Sequence, residues 1–306
     1  MSLSAVRKGF GWLYDRPNPL LVLTSLFWAG NAIAGQLAIG EITPMQLVLL
    51  RWVVVLGIMW PLFGRQALAA WPVIKPRIGR LITMAILGFT GFNALFYLAS
   101  TQTSGVNIGI LQGSVPVFVL IAAFVAHGAR VGILQGLGVA ITLTGVALVA
   151  TQGRPLDVLE LVWNQGDLLM LLACLSYALY AVLLQSRPDV PGTAFFTLML
   201  PVAALTAVPA AIAEAYLTEN YSPPSTYGLV LAAWVGLFPS CLAQLFFLRG
   251  VDLIGPGRAG VYTNLVPVFA AGLAVLMLGQ VFDLYHAIAL VLVLGGIAIA
   301  QRRTSS

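Results

Sequence analysis

At 306 residues, 60% hydrophobic and only 8% charged, with a mean hydropathy of +0.97, the chain lacks the roughly 25% charged residues with which a soluble domain covers itself. That excludes an aqueous globular enzyme or binding module. The net charge of +5 would suit a nucleic acid, but the basic residues are spread along one face of a membrane threading, which makes anionic lipid their partner and not nucleic acid.

Ten apolar runs occur in chain order: 19–38, 44–63, 81–99, 107–127, 131–150, 167–186, 193–213, 227–248, 259–279 and 284–300. About 20 such residues cross a bilayer core of about 30 Å as a helix, and the short alternating strands of a membrane barrel are absent. The seams carry breakers: Thr43-Pro44, Trp71-Pro72, Lys75-Pro76, Arg187-Pro188 and Pro223-Pro224.

With the N-terminus inside, Arg7, Lys8, Arg16, Arg65, Lys75, Arg77, Arg80, Arg130, Arg187, Arg249, Arg258, Arg302 and Arg303 all fall on the inner side. Only Arg154 falls outside, and Arg51 lies within the second run. Glu41, Asp157, Glu160, Asp167, Glu214, Glu219 and Asp283 gather at the outer side, against Asp15, Asp189 and Asp252 inside. A lysine and arginine skew of this size sets orientation, so both termini are expected in the cytoplasm. Arg7, Lys8 and the following apolar run resemble a signal peptide, but cleavage would leave the first half without a counterpart to a helix in the second, so the first helix is expected to stay. Cys174 and Cys241 lie within runs without metal-like spacing and read as packing residues.

The chain repeats itself. Leu23–Gln36 (LTSLFWAGNAIAGQ) aligns with Leu172–Gln185 (LACLSYALYAVLLQ), and Val115-Pro116-Val117-Phe118 recurs as Val266-Pro267-Val268-Phe269. Gly145 pairs with Gly296. Five runs per half is an odd number, so the halves thread in opposite directions, an architecture of secondary transporters. The expected fold is an all-α integral membrane protein of ten transmembrane helices in two inverted five-helix repeats. Its parts are a cytoplasmic segment (1–18), a first repeat (19–150), an outer linker (151–166), a second repeat (167–300) and a cytoplasmic tail (301–306).

Two five-helix halves, Arg51-Trp52 after Pro44, and Pro-Val-Phe midway along the fourth and ninth runs resemble the EamA family of the drug/metabolite transporter superfamily, over about residues 19–300. The chain looks especially like bacterial exporters of aromatic amino acids. The resemblance implies a carrier of the inner membrane whose central cavity is formed by the first, third, fourth, sixth, eighth and ninth spans. Relatives often carry a Gly-Glu pair where this chain has Gly279-Gln280, with Gly128-Ala129 in the first half, so no role of that acid carries over.

Polar side chains are costly in hydrocarbon and face a bundle interior or a wet cavity. On that ground the candidate substrate-binding residues are Trp28, Asn31, Asn93, Phe96, Gln112, Tyr177, Tyr180, Ser240, Gln244, Tyr262 and Asn264, aromatic faces and amides that suit an amphipathic solute with a flat apolar part. Pro116 and Pro267, near Gly109, Gly113 and Gly260, are the candidate gating hinges. Arg51 reads as a structural arginine that snorkels outward or caps carbonyls, with a carboxylate anchor as the sharper alternative. No carboxylate lies deep in a run, no Walker-type loop exists, and no cofactor is expected. The expectation is a secondary exporter or facilitator, acting as a monomer, of small amphipathic metabolites such as aromatic and other amino acids. Nucleotide sugars or drug-like solutes on the same fold, or a channel, are the alternatives.

Overall fold

The computed structural model describes residues 11–127, 132–154, 164–217 and 221–300, all helix or turn with no strand among them. Arg7, Lys8, Arg130, Arg302, Arg303, Asp157, Glu160, Glu219 and the Gly128-Ala129 pair lie outside the described residues. The helices are α1 (Pro17–Leu37), α2 (Pro44–Ile74), α3 (78–100), α4 (105–127), α5 (Ile133–Ala150), α6 (Gln165–Leu184), α7 (Gly192–Leu217), α8 (Thr226–Ile254), α9 (256–278) and α10 (Leu284–Ala300). Local chemistry starts many of them. Pro17 and Pro44 occupy first-turn positions whose N–H would be unbonded anyway. Ser104, Asn164 and Ser225 each accept a backbone N–H of the turn they precede, at 3.1, 2.7 and 3.0 Å.

Among the described residues, seven helical stretches are long and apolar enough to cross a bilayer, or eight with the bent pair in α4 as one span, and Leu284–Ala300 is a shorter apolar helix. The chain is thus a multi-pass membrane protein. That tally takes Pro44–Ser100 as one stretch of 57 residues. A straight helix would hold Arg51 and Asn93 about 60 Å apart, yet their side chains are hydrogen-bonded. The chain therefore doubles back at the Lys75–Arg77 turn.

One seam is corrected. Trp71-Pro72 does not end a helix: α2 runs through Pro61 and Pro72 to Ile74. Beyond residue 63 its Gly64, Ala67, Ala70 and Ile74 are buried at helical spacing, and Gln66 Oε1 accepts a hydrogen bond from Thr193 on α7 at 2.8 Å. That packed face outweighs the donor each proline removes.

The helices pair across the halves. α1 packs on α8 and α9, and in the same way α6 packs on α3 and α4; α2 lies along α7, α4 along α9 and α5 along α10. Backbone irregularities recur with the same spacing. A π-helical turn interrupts α3 at Ile86–Gly91, and another interrupts α8 at Gly236–Leu242. α4 breaks after Gln112 with a bend of 40°, and α9 breaks at the 3-10 turn Tyr262–Asn264. Pro116 and Pro267 each sit in the first turn after their break, where proline is tolerated, rather than inside an unbroken helix.

The α5–α10 pair is close because its contact is built from small residues. A Cβ added at Gly138 would lie 2.5 Å from both Ala300 N and Gly296 O. Several helix ends are stitched by polar groups. Asp167, fully buried, accepts from Thr103 Oγ1 at 2.6 Å and from Asn107. Asn107 in turn meets His286 at 3.2 Å. Glu214 accepts from Thr43 and from the Met45 N–H at the start of α2, where a negative charge complements the helix dipole. Gly138→Val should force α5 from α10 and cost about 1–3 kcal/mol, read as a lower unfolding temperature in detergent beside a parallel Leu137→Val control on the exposed face of α5.

Candidate functional site

A π-helical turn leaves carbonyls without their usual partners, and in hydrocarbon each must find another donor. The sequence supplies them. On α3, Leu87 O accepts from Ser176 at 2.7 Å and Phe89 O from Asn93 Nδ2 at 2.7 Å. On α8, Val235 O accepts from Ser240 at 2.6 Å and Pro239 O from the Trp28 indole at 3.1 Å. These side chains come from α1, α3, α6 and α8, and three of them, Trp28, Asn93 and Ser240, line a cavity of about 160 Å³. An apolar cavity of roughly that size holds one benzene ring.

Arg51 forms part of its wall and is 5% exposed. Its Nε donates to Ser240 Oγ at 2.5 Å, and its Nη1 meets Asn31 Oδ1 at 3.1 Å, Tyr97 OH at 2.8 Å and Asn93 Oδ1. The guanidinium carbon also lies 5.2 Å from the Trp52 ring centre. Arg51 therefore does not snorkel: α2 carries it inward, to acceptors on α1, α3 and α8. The expectation of an outward-facing structural arginine is corrected.

Of the residues singled out in the sequence, Trp28, Asn31, Asn93, Gln112, Tyr177, Ser240, Gln244, Asn264 and Pro116 line this cavity. Four others do not. Phe96 is fully buried between the rings of Phe92 and Tyr97. Tyr180 lies over Gly88, whose missing side chain makes room for it, and against Phe89. The Tyr262 hydroxyl bonds Asn18 at 2.7 Å on an exposed surface. Pro267 stands behind the lining, against Gly113 of the α4 break. Trp52, Gly88, Phe89, Phe196, Pro239 and Thr263 line the cavity without having been foreseen in that role, and Arg51, expected there only as the alternative reading, joins them. Phe89 packs tilted against Trp52 at 4.9 Å and edge-to-face with Phe196 at 5.5 Å, and Phe92 meets Tyr177 at 5.3 Å. The Trp52 indole nitrogen, Gln112 Oε1 and Asn264 Oδ1 are buried without a hydrogen-bond partner.

The profile of the EamA-like transporter family matches residues 17–151 and again residues 164–301. The chain belongs to the EamA-like transporter family. It is similar to the uncharacterized transporter YyaM of Bacillus subtilis (strain 168), 29% identical over 223 residues, 72% of each chain. An uncharacterized transporter of Archaeoglobus fulgidus is 25% identical over 292 residues, 93% of this chain and 96% of its own. A solved crystal structure matches over 93% of this chain and 96% of its own with a TM-score of 0.58 at 18% identity, a likeness of fold alone.

In this EamA chain the Gly279-Gln280 pair has a visible task. Gly279 closes α9 in the left-handed region at φ 62°. Gln280 then accepts from the Val106 N–H and donates to Gln36 Oε1, both at 3.2 Å. Gln36 itself donates to Ser100 O at 2.7 Å and Thr103 O at 2.8 Å. The C-terminal ends of α1, α3 and α9 and the start of α4 are thereby tied together.

Asn93 joins the π turn of α3 to Arg51. Asn93→Leu would strand both the Phe89 carbonyl and one contact of the guanidinium, at about 1–3 kcal/mol for each group left unpaired. Thermal unfolding in detergent should show a lowered midpoint, with Asn93→Gln less affected.

Proposed function

We propose that the chain is a secondary carrier that moves small amphipathic metabolites, aromatic and other amino acids foremost, by alternating access between two inverted halves. The observation that carries this reading is the paired set of backbone breaks around one cavity. π turns begin at residues 86 and 236, an interval of 150, and the Val-Pro-Val-Phe segments after the breaks of α4 and α9 are 151 apart. Two halves that swap local conformations at matching hinges open one site to each side in turn. The double family match supports the same division, as do the mirrored pairings of α1 and α6.

On this reading the ten helices are ten crossings of the bacterial inner membrane with both termini cytoplasmic, in keeping with the arginine skew. Cargo is inferred from the lining. Phe89, Phe92 and Tyr177 offer ring faces and edges to a flat apolar group. The amides of Gln112, Gln244 and Asn264 in the lining bring carbonyl acceptors to the cavity wall that suit an ammonium group, which has three donors and no acceptor. The cavity is small for a nucleotide sugar.

Purified protein in proteoliposomes, loaded with a panel of aromatic and aliphatic amino acids with and without a pH gradient, tests the cargo. Flux of phenylalanine or tryptophan is expected, and no flux of any amino acid would defeat the assignment. Pro116→Ala and Pro267→Ala test the hinges. Each should lower turnover more than apparent affinity, and unchanged transport in both would remove the prolines from gating. A reporter fused after Ser306 is expected to read cytoplasmic, and a periplasmic signal would overturn the threading.

A further inference from the structure

A guanidinium has five N–H donors and no acceptor. In Arg51, Nε and Nη1 are spent on Ser240, Asn31, Asn93 and Tyr97. Nη2 has no hydrogen bond to the protein, and it is absent from the buried atoms that lack a partner, so it is open to the cavity. Every group that Arg51 touches is neutral. The ion pair found among the described residues is Arg249 with Asp15, far along the chain at the inner end, so the charge of Arg51 has no counter-ion among them.

A second donor stands beside it. Asn31 Oδ1 accepts from both Arg51 and Tyr97. This fixes the amide orientation, because a flipped amide would set N–H against N–H. Asn31 Nδ2 is thus turned away from Arg51; it too lacks a protein hydrogen bond and is not among the enclosed unpartnered atoms. Nη2 and Nδ2 leave the site with two unused donors, one of them charged, on residues that both line the cavity.

A lone charge in a low-dielectric site is costly, and a ligand of opposite sign removes that cost. A helix-stapling role explains Nε and Nη1 but leaves the free edge unexplained. A polar but uncharged residue would staple the same acceptors without burying a charge.

We propose that Arg51, oriented by Asn31, Asn93, Tyr97 and Ser240, is the anchor that selects cargo bearing a single carboxylate. The carboxylate accepts from Nη2, with Asn31 Nδ2 as the neighbouring donor, and the apolar part of the cargo lies toward Phe92 and Tyr177. One guanidinium in a cavity of about 160 Å³ matches one carboxylate, not a di- or triphosphate. This rests on the carrier reading above and narrows it.

The test compares three probes of similar shape: phenylalanine, 3-phenylpropionate, which lacks the ammonium, and phenethylamine, which lacks the carboxylate. Their binding to the full-length protein in detergent is read by thermal stabilisation, which needs no transport. Phenylalanine and phenylpropionate should stabilise wild type, with phenethylamine weaker by about tenfold to a hundredfold in apparent affinity, the range for losing a hydrogen bond to a charged partner. Arg51→Gln should abolish the preference for carboxylates, and Arg51→Lys should keep its sign with lower affinity. Equal stabilisation by the amine and the acids, or a carboxylate preference that survives in Arg51→Gln, overturns the anchor. If Arg51→Gln fails to fold, the wild-type series and Arg51→Lys decide alone. Failure of the carrier reading looks different: carboxylates then bind in an Arg51-dependent manner, but no probe crosses the liposome membrane.

Discussion

The structure depends on a bridge between two kinds of unsatisfied group. Ser240 donates its hydroxyl to Val235 O within the π turn of α8 and accepts from Arg51 Nε with the same oxygen. Asn93 does the equivalent on α3, giving its N–H to Phe89 O and its oxygen to the guanidinium. Each side chain therefore covers a carbonyl that the π turn exposes and solvates a charge that the bilayer would reject. Neither irregular backbone nor a buried arginine is tolerated alone in hydrocarbon. Joined through Ser240 and Asn93, each supplies what the other lacks, and the cavity is the space around that junction.

The same junction explains what was legible in the sequence and what was not. Hydropathy sums over about 20 residues, so the all-helical, multi-pass character of the chain was readable. The far end of α2 was not, because Pro72 looks like a stop until the buried face of Ala67, Ala70 and Ile74 is seen. Which way a residue faces was harder still. These helices are apolar all round, so no stripe marks the inner side. Trp28 and Asn31 share a face and both reach the cavity, yet of their counterparts Tyr177 does so and Tyr180 does not. Tyr180 packs on the bare surface at Gly88 instead. Phe92, Asn93 and Phe96 all follow the π turn of α3, yet Phe96 is enclosed by the rings of Phe92 and Tyr97 while the other two line the cavity.

Arg51 was the hardest to place, since hydropathy treats it as an interruption near a span end and snorkelling is the usual remedy. The readable signal lay in other spans. Asn31, Asn93 and Ser240 come from three different helices, and a single buried cation gives all three of them one common partner. Polar residues scattered singly over several spans are more informative as a set than one by one.

With alternating access as the working cycle, the location of the hydrogen bonds indicates what moves. The ends of α1, α3, α4 and α9 are held by side-chain contacts, several of them between neutral groups such as Gln36 with Gln280. When such contacts part, water takes their place, so each is worth only about 0.5–1.5 kcal/mol net. The Arg51 cluster has no such substitute while the cavity is dry, and the α5–α10 pair is locked backbone to backbone around Gly138 and Gly296. Motion is therefore cheapest in between, at the π turns of α3 and α8 and the breaks of α4 and α9, where the helical hydrogen-bond ladder is already interrupted. In such a cycle the central charge would stay paired and the α5–α10 pair intact while the ends of the inner helices swing, so that one site could face two sides without exposing its arginine to lipid.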